Sequence, residues 1–202
     1  MIAVQPTATT ARVGFHSLFP QNTVTTKEYT LSHTDVADLI RANNQSKIPN
    51  SVILCQAYKE SRAAGFSVGQ GRNRRWVSPP VGTFYNASQG SVSHRGLMQV
   101  SPVAAQYGGL GNGQGEGLND AQLQSVNPDY INHIWDPAAN ISAGTGYLQY
   151  LMDHYGEDTE GALERFRGSP GSATAQGYAK NILDCAARVD AGDTLGGLGL
   201  IR

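Results

Sequence analysis

Between Asp136 and Gly156 the sequence marks both ends of one helix, and no other stretch limits the fold as tightly. Asp136-Pro137 reads as an N-cap followed by a first-turn proline, where a missing N–H costs nothing. Ile141, Gly144/Thr145, Leu148, Leu151/Met152 and Tyr155 then recur at intervals of three and four, so one face is buried. Gly156 supplies a C-cap. Ala143, Gly144 and Gly146 are small enough to let another element come close to the backbone.

Further helices are written around it. Ser32-His-Thr-Asp35 resembles a capping box with Asp in place of Glu, opening a short helix with Val36, Leu39 and Ile40 as its apolar positions. Asn43 to Lys47 is a polar linker. A core helix follows from Ile48 to Ser61, with Pro49 in its first turn and Val52, Ile53, Gln56, Ala57 and Glu60 at helical spacing. Ser101-Pro102 opens a helix to Tyr107. Another starts at Thr159 or Glu160, with Ala162, Leu163 and Phe166 apolar, and ends before the turn Gly168-Ser-Pro-Gly171. The last runs from about Ala175 to Val189, with Tyr178, Ile182 and Cys185/Ala186 on one stripe. Weak strand candidates occur only near Val77–Phe84. The fold class is mainly α, with a small β element allowed in the irregular stretch Gly65–Gly90.

At 202 residues the chain fits one domain, and 40% hydrophobic content supports a real core. Residues 1–31 read as an arm or irregular lead-in, 32–190 as the domain, and 191–202 as a Gly-rich tail. Fifteen Lys+Arg against 16 Asp+Glu give a net charge of −1, which argues against nucleic acid or a membrane surface as partner. No apolar run approaches the ~20 residues of a membrane helix. The N-terminus has no basic region followed by an apolar stretch, so no signal peptide is visible. Cys55 and Cys185 are too few for a disulfide framework. Buried free thiols are the default expectation, and a bridge between the two helices is the alternative, favoured in an oxidising compartment.

Chemistry centres on Glu60. A glutamate at the end of an otherwise apolar helix is desolvated, which raises its pKa and suits it to act as a general acid. The plainer reading is a surface Glu beside Lys59 and Arg62. Neither metal nor cofactor is expected: there is no CxxC, HExxH or clustered His. The run Gly108–Gly117 fits neither GxGxxG nor a Walker pattern, and its Asn112, Glu116, Asn119 and Asp120 lack an EF-hand arrangement, so a surface loop is the better reading than a calcium site. His94 reads as a loop residue and not a catalytic base. The arginines at 72, 74 and 75 could attract an anion or simply be solvated.

Four short blocks, in order, resemble the soluble lytic transglycosylases with the goose-lysozyme-like fold. They are Ile48-Pro49 through Glu60-Ser61, Gly96-Leu-Met-Gln-Val-Ser-Pro102, Asp136 through Leu148 with its Asn140-Ile and Tyr147-Leu, and Gly177-Tyr-Ala-Lys-Asn-Ile-Leu183. Together they cover about residues 46 to 188. The resemblance implies that Glu60 is the single catalytic acid and base, that Met98 and Gln99 line the sugar groove, and that Tyr178 lines the cleft. Asn140 and Tyr147 sit on the matching structural helix, where fixing helix contacts is the leading role; Tyr147 is carried as a substrate-binding candidate with Phe166. Three departures stand out. Glu60 to Gly96 spans 36 positions, an insertion for this family. The serine expected before Gly-Leu-Met-Gln has two candidates, Ser91 and Ser93, of which Ser93 is carried forward. The family's Ala-Tyr-Asn is here Arg165-Phe166-Arg167.

The resemblance implies cleavage of peptidoglycan glycan strands at the bond after N-acetylmuramic acid, with Glu60 first as acid and then as base on the muramyl C6 hydroxyl, leaving a 1,6-anhydro end. Hydrolysis is the competing chemistry. In its inverting form it requires a second carboxylate to activate water, with Glu116, Asp120, Asp129 and Asp136 as candidates, although Asp136 is better explained as a helix cap. A non-catalytic glycan-binding module is the third reading. Action in the periplasm or cell wall without a visible leader implies delivery by a phage particle, a secretion or conjugation apparatus, or as an antibacterial effector with a cognate inhibitor or immunity protein; a precursor whose leader is cleaved is the alternative.

Overall fold

The computed structural model describes residues 30–61, 94, 96–110, 134 and 136–194, together with short strand backbones at 66–68, 75–77 and 83–85. The order of elements is β1 (Thr30–Ser32), α1 (His33–Asn43), α2 (Asn50–Ser61), β2 (Phe66–Val68), β3 (Arg75–Val77), β4 (Thr83–Tyr85), α3 (Pro102–Tyr107), α4 (Pro137–Tyr155), α5 (Thr159–Arg167) and α6 (Ala173–Asp190). The expected lead-in and tail lie outside the described residues apart from Thr30, Leu31 and positions 191–194. Among the described residues no helix is long and apolar enough to cross a membrane.

Helix ends are fixed by side chains that satisfy the first free N–H groups. Asp136 Oδ1 accepts from the N–H groups of Ala138 and Ala139 at 2.8 and 3.2 Å, so this carboxylate is spent as a cap, as its sequence position implied. At the other end of α4, Gly156 adopts the left-handed φ of 66° that stops a helix cheaply. Ser101 caps α3 through the N–H of Ala104, with Pro102 in the first turn. α5 starts at Thr159, one of the two expected positions, and α6 starts at Ala173, two residues earlier than the sequence implied. Asp158 caps α5 through the N–H of Gly161, and Ser172 caps α6 through that of Ala175.

Packing follows the apolar stripes. α2 lies against α6, α6 against α5, and α4 against α1, α3 and α5. The core gathers Val36 and Ile40 from α1, Ile53 and Ala57 from α2, Leu97 and Met98, Ile141 and Leu148 from α4, Leu163 from α5 and Ile182 from α6. The middle of α2 is buried on every side, from Val52 through Tyr58, as befits a helix that is apolar nearly all round. The small residues of α4 are used as expected. A Cβ at Gly146 would meet the Gly108 carbonyl oxygen at 2.6 Å, and one at Gly144 would meet Met98 Cβ at 2.8 Å.

The small β element consists of two antiparallel two-stranded ladders. β2 pairs with β3, matching Ser67 to Trp76. β4 pairs with β1, matching Leu31 to Phe84, which ties the far end of the inserted stretch to the strand just before α1. That second pairing was not foreseen.

The cysteines require a correction. Cys55 and Cys185 are not free thiols but form a disulfide, joining α2 to α6 across 130 residues. The physical reason is the face-to-face packing of those helices, which holds the two Cα atoms 6.0 Å apart, within bridging range.

Candidate active site

Glu60 sits in the last turn of α2, one residue before Ser61. The Ser61 hydroxyl, buried, donates back to the Ala57 carbonyl at 2.7 Å and completes the helix end just beyond the acid. Glu60 itself keeps a fraction of its surface open while protein closely surrounds its carboxyl. Desolvation therefore dominates and raises the pKa above its ordinary value. Three smaller effects oppose it: a hydrogen bond from Tyr178, the charge of Arg167, and the charge of Lys59. The plain surface reading of Glu60 does not hold.

Tyr178 comes from α6. Its hydroxyl donates to Glu60 Oε1 at 2.6 Å, and its ring is buried with 5% of its surface exposed. Burial and the neighbouring carboxylate both hold the phenol's pKa well above its usual value, so it is a proton donor and not a base. A carboxyl so placed retains its proton to higher pH than an open one and can release it while a phenol O–H steadies the anion.

The turn Gly96–Gln99 is built rigidly. Gly96 and Gln99 both have positive φ, 75° and 46°, and Gln99 is the one non-glycine among the described residues that does. Its side-chain Nε2 donates to the Gly96 carbonyl at 2.8 Å, and its backbone N–H does so at 3.1 Å. A left-handed Gln costs energy and persists only where its surroundings hold it, which is common near functional sites. Met98, expected on the groove wall, is instead a core residue. It is fully buried against Gly144, and its N–H donates to Asn140 Oδ1 at 2.8 Å. Asn140 is buried too and donates its amide to the Ile134 carbonyl at 3.1 Å, so its role is to lock the turn onto α4.

Tyr147 and Phe166 do meet, with ring centroids 5.9 Å apart, and Tyr147 also stacks on Tyr150 at 6.1 Å. Burial first, then the neighbouring Tyr155, Tyr150 and Tyr107, raises the Tyr147 pKa. Ser93 and Ser91 lie outside the described residues, as do Glu116, Asp120 and Asp129. His94 is exposed. Among the described residues no group of three His, Cys, Asp or Glu is placed to hold a metal ion.

The altered block Arg165-Phe166-Arg167 is accounted for residue by residue. Arg165 stacks over the Tyr155 ring at 4.0 Å and pairs with Glu157 at 2.7 Å, which ties α5 to the end of α4. Phe166 packs on Tyr147. Arg167, exposed at the last turn of α5, brings its charge to bear on both Glu60 and Tyr178. Sequence reasoning missed that cation's part in the site. The only signal was its departure from the expected Asn.

The fold and this carboxyl define a class: a helical domain arranged about one half-sheltered acid and a phenol from a distant helix. The chain belongs to the transglycosylase SLT domain family, whose match spans residues 39–178, more than half of the sequence. Two solved structures are similar. One is the 70-kDa soluble lytic transglycosylase in complex with bulgecin A, with 20% identity over 78% of this chain and 24% of that one at a TM-score of 0.47. The other is the 70-kDa soluble lytic transglycosylase of Escherichia coli, with 22% identity over 82% and 25% at a TM-score of 0.45. The chain thus spans about a quarter of the length of those enzymes. At such scores these likenesses carry no weight of their own, and the family rests on the domain match. No curated protein matches significantly by sequence.

Proposed function

We propose that the protein cleaves peptidoglycan glycan strands at the bond after N-acetylmuramic acid, as a lytic transglycosylase with Glu60 as its one acid and base. The observation that carries this reading is the sheltered Glu60 carboxyl, held by Tyr178 at 2.6 Å in a domain of the transglycosylase family. Protonated Glu60 donates to the glycosidic oxygen as the bond breaks through an oxocarbenium-like state. The resulting carboxylate, steadied by the Tyr178 hydroxyl and the Arg167 charge, then takes the proton of the muramyl C6 hydroxyl as that oxygen closes on C1. The carboxyl is restored, no water is consumed, and a 1,6-anhydro end is left. Gln99, Tyr147, Phe166 and Ser93 are the proposed substrate contacts, with Met98 supporting the turn from within the core.

A hydrolase of the inverting kind needs a second carboxylate, and Asp136, one of four candidates, is engaged as a cap. Action in the periplasm or cell wall, restrained by a cognate inhibitor or immunity protein, is the proposed setting. Mass spectrometry of digested sacculi tests the chemistry. Anhydromuramic ends are expected, and reducing muramic ends would overturn transglycosylation in favour of hydrolysis.

A further inference from the structure

One turn before Glu60, on the same side of α2, stands Gln56. It is wholly buried, among Ile53, Leu54, Cys55 and Ala57, where an apolar side chain would carry no desolvation cost. Neither its amide nitrogen nor its amide oxygen completes a hydrogen bond of normal geometry. Such an atom pair deserves a reason. Its amide nevertheless acts on Tyr178, favouring the phenolate form. A tyrosine hydroxyl has one proton to give and lone pairs to receive with. Tyr178 gives its proton to Glu60, which leaves lone pairs on its oxygen with which to accept.

We infer that Gln56 is a positioning residue for the acid: its amide holds the Tyr178 hydroxyl so that the O–H points at Glu60 Oε1. The chain runs from Gln56 Nε2–H to the Tyr178 oxygen, and from the Tyr178 O–H to the carboxylate. Each donation strengthens the next. Gln56 has no exposed surface and does not touch substrate. It acts only through Tyr178, and its function rests on the proposed reading of Glu60 as the acid. The other groups acting on Glu60 among the described residues are Arg167 from the end of α5 and Lys59 beside it on α2.

The experiment is a titration of the Glu60 carboxyl by carbon-13 NMR in the full chain, comparing wild type, Gln56→Met, Tyr178→Phe and the double variant. E60Q, lacking that signal, assigns it. Gln56→Met should move the Glu60 midpoint upward, by less than Tyr178→Phe does, and should add nothing to Tyr178→Phe in the double variant. An unchanged or lowered midpoint in Gln56→Met overturns the proposal. So does an additive double variant, because Gln56 would then act on Glu60 without Tyr178. Should Gln56→Met fail to fold, Gln56→Leu gives the same comparison. The titration needs no turnover, so it stands apart from the activity of E60Q, whose retention would instead overturn the assignment of Glu60.

Discussion

The Tyr178 hydroxyl and Glu60 Oε1 lie 2.6 Å apart although 118 residues separate them in sequence. Replacing Glu60 by Gln keeps the shape and the acceptor but removes the proton that would reach the glycosidic oxygen. Release of soluble muropeptides from sacculi is expected to fall ~10²–10⁴-fold, the range usual for a lost general acid, with the circular dichroism spectrum unchanged. Equal release by both proteins would rule out the assigned role.

The same substitution has a signature in stability. Folding raises the Glu60 pKa above its ordinary 4.5, so the residue favours the folded state most below that value. That contribution is lost as pH rises through the raised value. E60Q does not titrate, and its Tm should therefore exceed the wild-type Tm by an amount that grows with pH across that window and vanishes in acid. Thermal melts of both proteins over a pH series provide the check.

Tyr178 and Arg167 both favour ionised Glu60, the hydrogen bond more than the charge. Tyr178→Phe and Arg167→Asn should each shift the alkaline limb of the activity profile to higher pH, Tyr178→Phe further. Arg167 is exposed, so salt screens it. Its shift should shrink at ~1 M salt while that of Tyr178→Phe persists. Identical salt responses would contradict this division.

The Cys55–Cys185 bridge predicts no reactive thiol in denatured, unreduced protein. Reducing it, or making Cys55→Ala with Cys185→Ala, should cost about 2–5 kcal/mol. For a chain of this size each kcal/mol is roughly 2–4 °C in Tm. Two free thiols in the unreduced protein would refute the bridge outright.

Asn140→Ala would strip partners from the Met98 N–H and the Ile134 carbonyl, both buried. Each orphaned group costs about 1–3 kcal/mol. Activity should fall alongside stability, because the Gly96–Gln99 turn loses its anchor. A Tm unchanged by the substitution would show that the turn is held otherwise.

Much of the helical frame was legible because its signals are local. Asp136-Pro137, Ser101-Pro102 and Gly156 announce helix ends within a few residues, and α3 and α4 begin and end where those residues placed them. The start capped by Ser172 was read two residues late, since the apolar stripe was weighed above the cap. What the sequence concealed lies across long separations. Nothing near Cys55 indicates that Cys185 will stand opposite it, and nothing near β1 announces β4. Glu60 and Tyr178 were each singled out, yet their contact depends on how α2 meets α6. Met98 was misplaced because motif likeness names a residue without saying which way its side chain turns. Gln56 passed as one more helical position, its oddity visible only once its amide proved buried without a hydrogen bond of normal geometry.

The covalent link between α2 and α6 encloses the whole stretch from 56 to 184 in a closed loop. A protease that nicks the backbone anywhere between residues 62 and 177 therefore yields two fragments that stay tethered, one bearing Glu60 and the other Tyr178. Such a clipped molecule would travel as a single band until reductant parts it. Beyond its effect on stability, the bond thus keeps the two halves of the site together after a single cut.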